Sequence, residues 1–264
     1  MKKILWCLMF FLLVGSVFSV ALNLPEEYID IDASGNKIYQ VQNGEIKTGF
    51  KVIGEGEPLL MLIGLGDKMD DWPQTVLDMF ARDYQLILLD NRGMGYTTDV
   101  DEPFTYAMLG EDVINLMNII GLDKTILIGW SMGSVISQYL LLNHSDRIDR
   151  AILNATAIDS TGTVENFLKI SGGDLPESGT VKKQIDIADN WKASPEDLEK
   201  VTNLVLLIHG SADNIVPSEN SVILSKYLQN SWMVRFKDNS HRVIFEEPVD
   251  FAYVCLDFLK HKRR

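Results

Sequence analysis

The chain has few cysteines, few histidines and little positive charge. Among its 264 residues there are two Cys and four His, and 24 Lys and Arg are outnumbered by 37 Asp and Glu. Cys7 lies in the apolar N-terminal stretch, which leaves Cys255 alone in the rest of the chain. A single cysteine forms neither an intrachain disulfide nor a cysteine-based metal site. Because Cys255 stands in an apolar helical pattern, we expect a buried thiol there.

The formal net charge of −13 argues against nucleic acid as a partner. Proteins that bind DNA or RNA independently of sequence cluster Lys and Arg on one face. The basic C-terminal tail, residues 260–264, is too short to supply such a face. The sequence also has no metal-ligand cluster and no phosphate loop, and Gly64-Leu65-Gly66 lacks the rest of a dinucleotide fingerprint. We therefore expect neither a metal nor a cofactor.

The N-terminus carries a targeting pattern. Lys2 and Lys3 precede an apolar run over residues 4–13, and small residues follow that run. The tripeptides that end at Ser19 and at Ala21 both fit the small-x-small pattern of a cleavage site. This predicts a signal peptide over residues 1–21 and an exported protein, either periplasmic or extracellular.

An uncleaved N-terminal anchor is the alternative. The uncharged stretch over residues 4–24 is long enough to span a bilayer. No other segment of the sequence has this length and hydropathy, so we expect membrane contact only through this stretch.

Strand-like and helix-like patterns alternate along the rest of the chain, residues 22–264. Unbroken apolar runs are typical of strands buried on both faces, as in a parallel sheet. The spacing of Leu109, Val113 and Leu116 instead predicts a helix with one apolar face. The alternation predicts an α/β fold, with a mostly parallel central sheet and helices on both faces. The predicted strands are residues 50–53, 59–63, 86–89, 125–128, 151–153, 204–208 and 233–236.

Residues 159–202 break this alternation. They contain short helical patterns and no convincing strand, and Ser194-Pro195 is a good helix start because Ser caps and Pro suits the first helical position. We interpret this segment as a short inserted lid. Its apolar residues are expected to lie over the sheet edge and to form the partial roof of a small apolar pocket.

The pentapeptide Gly129-Trp130-Ser131-Met132-Gly133 follows an apolar strand and precedes a helical pattern. That context is typical of a G-x-S-x-G nucleophile elbow, a turn so tight that small residues must flank the serine. The elbow places the hydroxyl at a helix N-terminus, where the dipole favours negative charge. Ser131 is therefore the candidate nucleophile. The alternative is a serine that only caps the helix.

A serine hydroxyl needs a base, and the base needs an acid to orient it. His241 follows a strand-like run and a polar turn, and Asp213 follows another predicted strand. The chain order Ser131, Asp213, His241 is typical of α/β-hydrolase sheets. His209 ends a strand, so we expect its ring to pack or to form local hydrogen bonds.

An oxyanion hole needs two preorganised donors. We expect the backbone N–H of Met132, directly after the nucleophile, to be one of them. The backbone N–H of Leu65, in the turn after the strand at residues 59–63, is the candidate for the other. Side-chain identity matters little for main-chain donors.

With these motifs the sequence resembles the α/β-hydrolase superfamily, of the compact esterase, lactonase and cofactor-free haloperoxidase type. The resemblance extends from about Gly44 to Lys260. Three features depart from the family pattern: Ile63 replaces a histidine before the oxyanion turn, Tyr96 replaces a serine, and the lid is short. The matching segments are residues 64–66 with Trp72, 90–95, 129–133, 209–217 and 240–248.

The resemblance implies hydrolysis of a small carboxylic ester, thioester or lactone through an acyl-enzyme on Ser131. A proline-iminopeptidase-like peptidase or a perhydrolase would use the same triad, so both stay open. A non-catalytic ligand-binding protein on this fold is the non-enzyme alternative. Haloalkane dehalogenases of this fold use an aspartate nucleophile, so Ser131 argues against that reaction. No sequence feature indicates an oligomeric state.

Overall fold

The computed structural model describes residues 20–173 and 179–261. In these residues nine strands form one sheet in the order β1-β2-β3-β5-β4-β6-β7-β8-β9. The strands are β1 (Asp30–Ile31), β2 (Lys37–Asn43), β3 (Ile46–Ile53), β4 (Glu57–Leu62), β5 (Tyr84–Leu89), β6 (Thr125–Trp130), β7 (Ile148–Asn154), β8 (Leu204–Gly210) and β9 (Ser231–Phe236).

The sheet is mostly parallel, as predicted. Strands β1, β2 and β3 pair antiparallel, and β3 also pairs antiparallel with β5. From β5 to β9 every neighbouring pair is parallel. The carboxyl ends of these strands therefore meet at one edge of the sheet, where ligands of open α/β sheets usually bind.

Helices cover both faces of the sheet. Helices α2, α3 and α7 pack in one apolar cluster, which includes Val113, Ile136 and Leu224. Helices α1 and α9 pack in the other, which includes Phe80 and Phe251. The helices are α1 (Gln74–Phe80), α2 (Tyr106–Ile119), α3 (Met132–Asn143), α4 (Thr163–Ser171), α5 (Thr180–Ala188), α6 (Pro195–Leu198), α7 (Glu219–Tyr227), α8 (Val243–Glu246) and α9 (Pro248–Leu259).

All seven predicted strands are present, but the antiparallel edge was missed. In β2 most residues are partly exposed or exposed, so its sequence lacks the unbroken apolar run that marks the central strands. β1 has only two residues. Helices α1 and α8 were also missed because they span fewer than three helical turns.

The segment predicted as the lid connects β7 to β8 and holds α4, α5 and α6. We call its described residues, 159–173 and 179–202, the lid. Helix α5 buries Gln184 and Ile187, whereas α4 buries none of its residues.

Cys255 is fully buried in α9 and is the free cysteine of the described residues. Burial raises the pKa of this thiol well above its ordinary value.

The signal peptide was predicted over residues 1–21 and the alternative anchor over residues 4–24. Residues 1–19 lie outside the described part of the chain. Within residues 20–173 and 179–261, no helix has the length and hydropathy needed to cross a membrane. Val20 and Leu22, at the start of the described chain, pack partly buried against the cluster of α2 and α3.

Candidate active site

Ser131 stands at the sharp turn between β6 and α3. Its backbone has φ 54° and ψ −120°, an unfavourable conformation for a residue with a side chain. Hydrogen bonds on both sides hold the turn: the Ser131 N–H donates to the Asn154 carbonyl at 2.9 Å, and the Ser131 carbonyl accepts from the Ser134 N–H at 2.9 Å. The turn lies at the carboxyl edge of the sheet.

Both elbow positions need glycine because neither has room for a Cβ atom. A Cβ on Gly129 would lie 2.5 Å from the Gly133 carbonyl oxygen, and a Cβ on Gly133 would collide with the carbonyl oxygen of Leu62. Strand β4, strand β6 and helix α3 can therefore approach this closely only with glycine at both positions.

A continuous hydrogen-bond chain joins the three residues predicted as a triad. His241 Nε2 lies 2.8 Å from Ser131 Oγ, and His241 Nδ1 lies 2.8 Å from Asp213 Oδ2. The loops after β8 and β9 bring the last two residues together, since the Ala212 N–H donates to the Asn239 carbonyl at 2.8 Å. The Trp130 indole N–H also donates to the His241 carbonyl at 3.1 Å, which ties the histidine loop to the elbow.

Asp213 is buried and accepts several hydrogen bonds. Its Oδ1 accepts from the N–H groups of Ile215 and Val216, each at 2.9 Å. Burial alone would raise the pKa of Asp213, but hydrogen bonds from His209 and His241 hold that pKa far below its ordinary value. The carboxylate is therefore ionised at neutral pH and faces the imidazole of His241.

His209 was expected to bond locally, but its contact with Asp213 was not predicted. Its Nε2 lies 3.1 Å from Asp213 Oδ2 and 2.8 Å from the Val216 carbonyl oxygen, and its Nδ1 lies 2.6 Å from Ser221 Oγ. Since both neighbours of Nε2 are acceptors, the hydrogen-bond network assigns the proton to Nε2. The four-residue spacing from His209 to Asp213 was the only signal in the sequence.

The two residues predicted to supply the oxyanion donors, Leu65 and Met132, line a cavity together with Ser131. The N–H groups of Leu65 and Met132 make no hydrogen bond within the part of the chain that the structure describes. The next N–H of the turn, from Gly66, donates to the Gln184 Oε1 of the lid at 2.8 Å. Gly66 has φ +80°, so the turn needs glycine at this position.

A cavity of about 390 Å³ opens above Ser131 and His241. Its walls are mostly apolar and include Trp130, Phe167, Ile170 and Ile185. We call it the large chamber. Its other lining residues are Leu65, Asp67, Thr163, Val164, Ser171, Ala188, Ile215 and Arg242.

Two charged residues line this chamber, and neither was predicted. The Arg242 guanidinium carbon lies 4.1 Å from the Phe245 ring centroid and 5.8 Å from that of Trp130, and it forms no ion pair with any described residue. Burial and the neighbouring Asp71 raise the pKa of Asp67, against the opposing charges of Arg242 and His241.

A second cavity of about 40 Å³ also meets Ser131. We call it the small chamber. It shares Leu65, Ser131, Thr163 and Ala188 with the large one. Its remaining lining is Tyr106, Met132, Val135, Ala155, Ala157, Ser160 and Val216.

Comparison with known proteins agrees with this fold. A family model described as the alpha/beta hydrolase fold matches residues 57–179. The chain is 24% identical to the 2-hydroxy-6-oxo-6-(2'-aminophenyl)hexa-2,4-dienoic acid hydrolase of Metapseudomonas resinovorans, over 91% of this chain and 97% of that one. It is 22% identical to the pimeloyl-[acyl-carrier protein] methyl ester esterase of Vibrio parahaemolyticus, over 78% and 95%.

Among solved structures, the meta-cleavage product hydrolase of Pseudomonas fluorescens IP01 superposes with a TM-score of 0.74. The two chains are 18% identical, over 84% of this chain and 97% of the other. At 18% identity, this structural similarity shows a shared fold.

Proposed function

We propose that this chain, a member of the α/β-hydrolase superfamily, hydrolyses a small carboxylic ester, thioester or lactone through an acyl-enzyme on Ser131. The observation that carries the proposal is the unbroken hydrogen-bond chain from Ser131 through His241 to Asp213. A serine that only capped a helix would need neither a base nor an acid behind that base.

The reaction runs in two halves. Ser131 Oγ attacks the ester carbonyl carbon while His241 Nε2 takes its proton, and the N–H groups of Leu65 and Met132 bind the developing oxyanion. The tetrahedral intermediate collapses, and His241 returns the proton to the departing oxygen or sulfur. A water molecule, deprotonated by His241, then attacks the acyl-enzyme and releases the acid and the free Ser131 hydroxyl.

Asp213 supports both halves of this reaction. Because its pKa is held low, the carboxylate keeps its charge and stabilises the imidazolium that forms on His241. The hydrogen bond at Nδ1 also fixes the tautomer that leaves Nε2 free to accept the proton of Ser131.

A fluorophosphonate probe tests the nucleophile. Wild-type protein is expected to be labelled on one serine, and Ser131→Ala is expected to lose the label. Ser171→Ala is the matched control, since Ser171 lines the same cavity but has no histidine partner in the structure. Folded wild-type protein that stays unlabelled would favour a ligand-binding protein.

A second candidate is hydrolysis of a carboxylated dienoic acid, the substrate type named for the Metapseudomonas resinovorans relative. Arg242 supports it, since a guanidinium without an ion pair among the described residues suits a substrate carboxylate. The test is absorbance decay of 2-hydroxy-6-oxohexa-2,4-dienoate with wild type and Arg242→Gln. Turnover that exceeds ester turnover and depends on Arg242 would replace the ester proposal.

We also propose that the protein is exported after signal-peptide cleavage. The Val20 side chain is partly buried against the core. Cleavage after Ser19 would keep Val20 in the processed chain, whereas cleavage after Ala21 would remove it. Mass spectrometry of envelope fractions is expected to find a product that begins at Val20 or Leu22. Finding only the intact, membrane-bound chain would instead support the anchor.

A further inference from the structure

We propose that the two chambers divide the substrate at its ester bond, with a short acyl group in the small chamber and a larger apolar alcohol in the large one. The inference rests on the proposed function, because it takes Ser131 as the nucleophile and His241 as the general acid.

The chambers meet where the bond would be cleaved. Both are lined by Ser131 and by Leu65, whose N–H is a proposed oxyanion donor. An ester bound for attack places its carbonyl carbon at Ser131 Oγ and its carbonyl oxygen at the donors. Its two remaining substituents then point away from this centre, and two spaces are available for them.

The position of His241 decides which substituent enters which space. The general acid must come within hydrogen-bond distance of the departing alcohol oxygen. His241 lines the large chamber and is absent from the lining of the small one, which contains Met132 instead. The alcohol therefore leaves through the large chamber, and the acyl group stays in the small chamber.

The small chamber limits the acyl length. One water-sized group needs about 10–15 Å³ of cavity volume, so about 40 Å³ holds roughly three such groups. That is room for an acetyl to a butyryl chain beyond the carbonyl carbon. The walls formed by Val135, Ala155, Ala157 and Val216 are buried, and a packed wall does not yield without overpacking.

The large chamber takes a bulkier partner. Its volume of about 390 Å³ is within the range of small-molecule sites, and Trp130, Phe167 and Ile185 give it apolar walls. The substrate class is thus short-chain acyl esters of larger apolar alcohols, rather than short alkyl esters of long-chain acids.

Hexyl acetate and methyl heptanoate test this assignment, because they are isomers that differ only in the direction of the ester bond. We expect kcat/KM for hexyl acetate to exceed that for methyl heptanoate by about tenfold or more. Methyl heptanoate can reach the large chamber only in a reversed pose, in which His241 faces the acyl chain, so it should inhibit rather than react. Equal rates, or preference for methyl heptanoate, overturn the inference.

Two variants separate the chambers. Val135→Ala enlarges the small chamber and is expected to shift the best acyl length of p-nitrophenyl esters upward by one or two carbons. Ile170→Ala, in the large chamber, is the matched control and should leave the acyl profile unchanged. An unchanged profile in folded Val135→Ala, or a shift in Ile170→Ala, contradicts the assignment.

Fluorophosphonate labelling keeps this inference distinct from the proposed function. If Ser131 is labelled and methyl heptanoate is preferred, the division of the substrate is wrong and the nucleophile stands. If Ser131 is not labelled, both proposals fail. The isomer comparison uses wild-type protein, so it does not depend on whether a variant folds.

Discussion

The large chamber has a floor and a lid that are built in different ways. The floor includes Ser131 and His241, which follow strand ends and are joined to each other and to the buried Asp213 by hydrogen bonds of 2.8 Å. The lid helix α4 buries none of its residues, and its Phe167 and Ile170 are 41% and 55% exposed. The proposed chemistry is therefore carried by elements that the whole core supports, and part of the apolar wall is carried by a helix that buries none of its residues.

Helix α5 shows that the lid is not uniform. It buries Gln184 and Ile187, and Lys183 pairs with Asp99 at 2.9 Å. Through Gln184 this half of the lid also hydrogen-bonds to the turn that carries the proposed donor Leu65. Within the lid, α5 is therefore more deeply buried than α4, and it alone hydrogen-bonds to the turn of Leu65 through a side chain.

Removing the base should have the largest effect. His241→Ala is expected to lower kcat by roughly a thousandfold or more, because proton transfer is needed in each transition state. Steady-state hydrolysis of p-nitrophenyl acetate measures it. His144→Ala is the control, since His144 bonds Glu111 and lies outside both chambers. Near-normal turnover by folded His241→Ala would remove His241 from the mechanism.

His209, the other histidine that contacts Asp213, should act on stability more than on rate. His209→Ala leaves Ser221 and one oxygen of Asp213 short of partners in a buried site, at a cost of roughly 1–3 kcal/mol in the free energy of unfolding. Urea unfolding at pH 7 measures it. A stability loss within error, together with a kcat loss as large as that of His241→Ala, would reverse the roles of the two histidines.

The pH dependence of that stability gives a second readout. A carboxyl whose pKa is lowered by folding stabilises the fold above its unfolded pKa, and this contribution is lost as pH falls towards the folded pKa. Loss of the His209 hydrogen bond moves the pKa of Asp213 back towards its ordinary value. The unfolding free energy of His209→Ala should therefore fall less steeply than that of wild type between about pH 5 and 2.

Gln184 tests whether α5 belongs to the machinery. Gln184→Met keeps the shape of the side chain but loses the acceptor for the Gly66 N–H. The turn should then hold Leu65 less well, so we expect kcat to fall about tenfold with little change in KM. Lys183→Met on the same helix is the control, because it removes an anchor without touching the turn. Equal kinetics in the two variants would make Gln184 a packing residue only.

The exposed helix should give the smallest effects. Phe167→Ala is expected to lower kcat/KM for hexyl acetate about three- to tenfold through lost apolar contact, and to leave that for methyl acetate unchanged. Its melting temperature should match that of wild type, since exposed side chains contribute little to stability. A large drop in melting temperature would show that α4 is as well supported as α5.

Ser131, Asp213 and His241 were singled out from the sequence, whereas the lid contacts were not, and the difference has a physical reason. The elbow and Asp213 follow the central strands β6 and β8, whose unbroken apolar runs locate their carboxyl ends. His241 follows the edge strand β9, which buries none of its residues, so it was recognised from the polar turn before it and from the chain order of the three residues. The bond between Gly66 and Gln184 joins residues 118 positions apart, and no local pattern encodes it. The positions of Arg242 and Asp67 in the wall of the large chamber, and the small chamber itself, likewise depend on loops and helices that are distant in sequence.

Cys255 offers a chemical readout of local opening. Its thiol is fully enclosed between α9 and the sheet, and burial keeps it protonated, so a thiol-directed reagent can react only after this region opens. A chain that starts at Val20 or Leu22 contains no second cysteine. The rate of modification by such a reagent would therefore time the detachment of the C-terminal helix, in the same sample in which turnover is followed and without any introduced label.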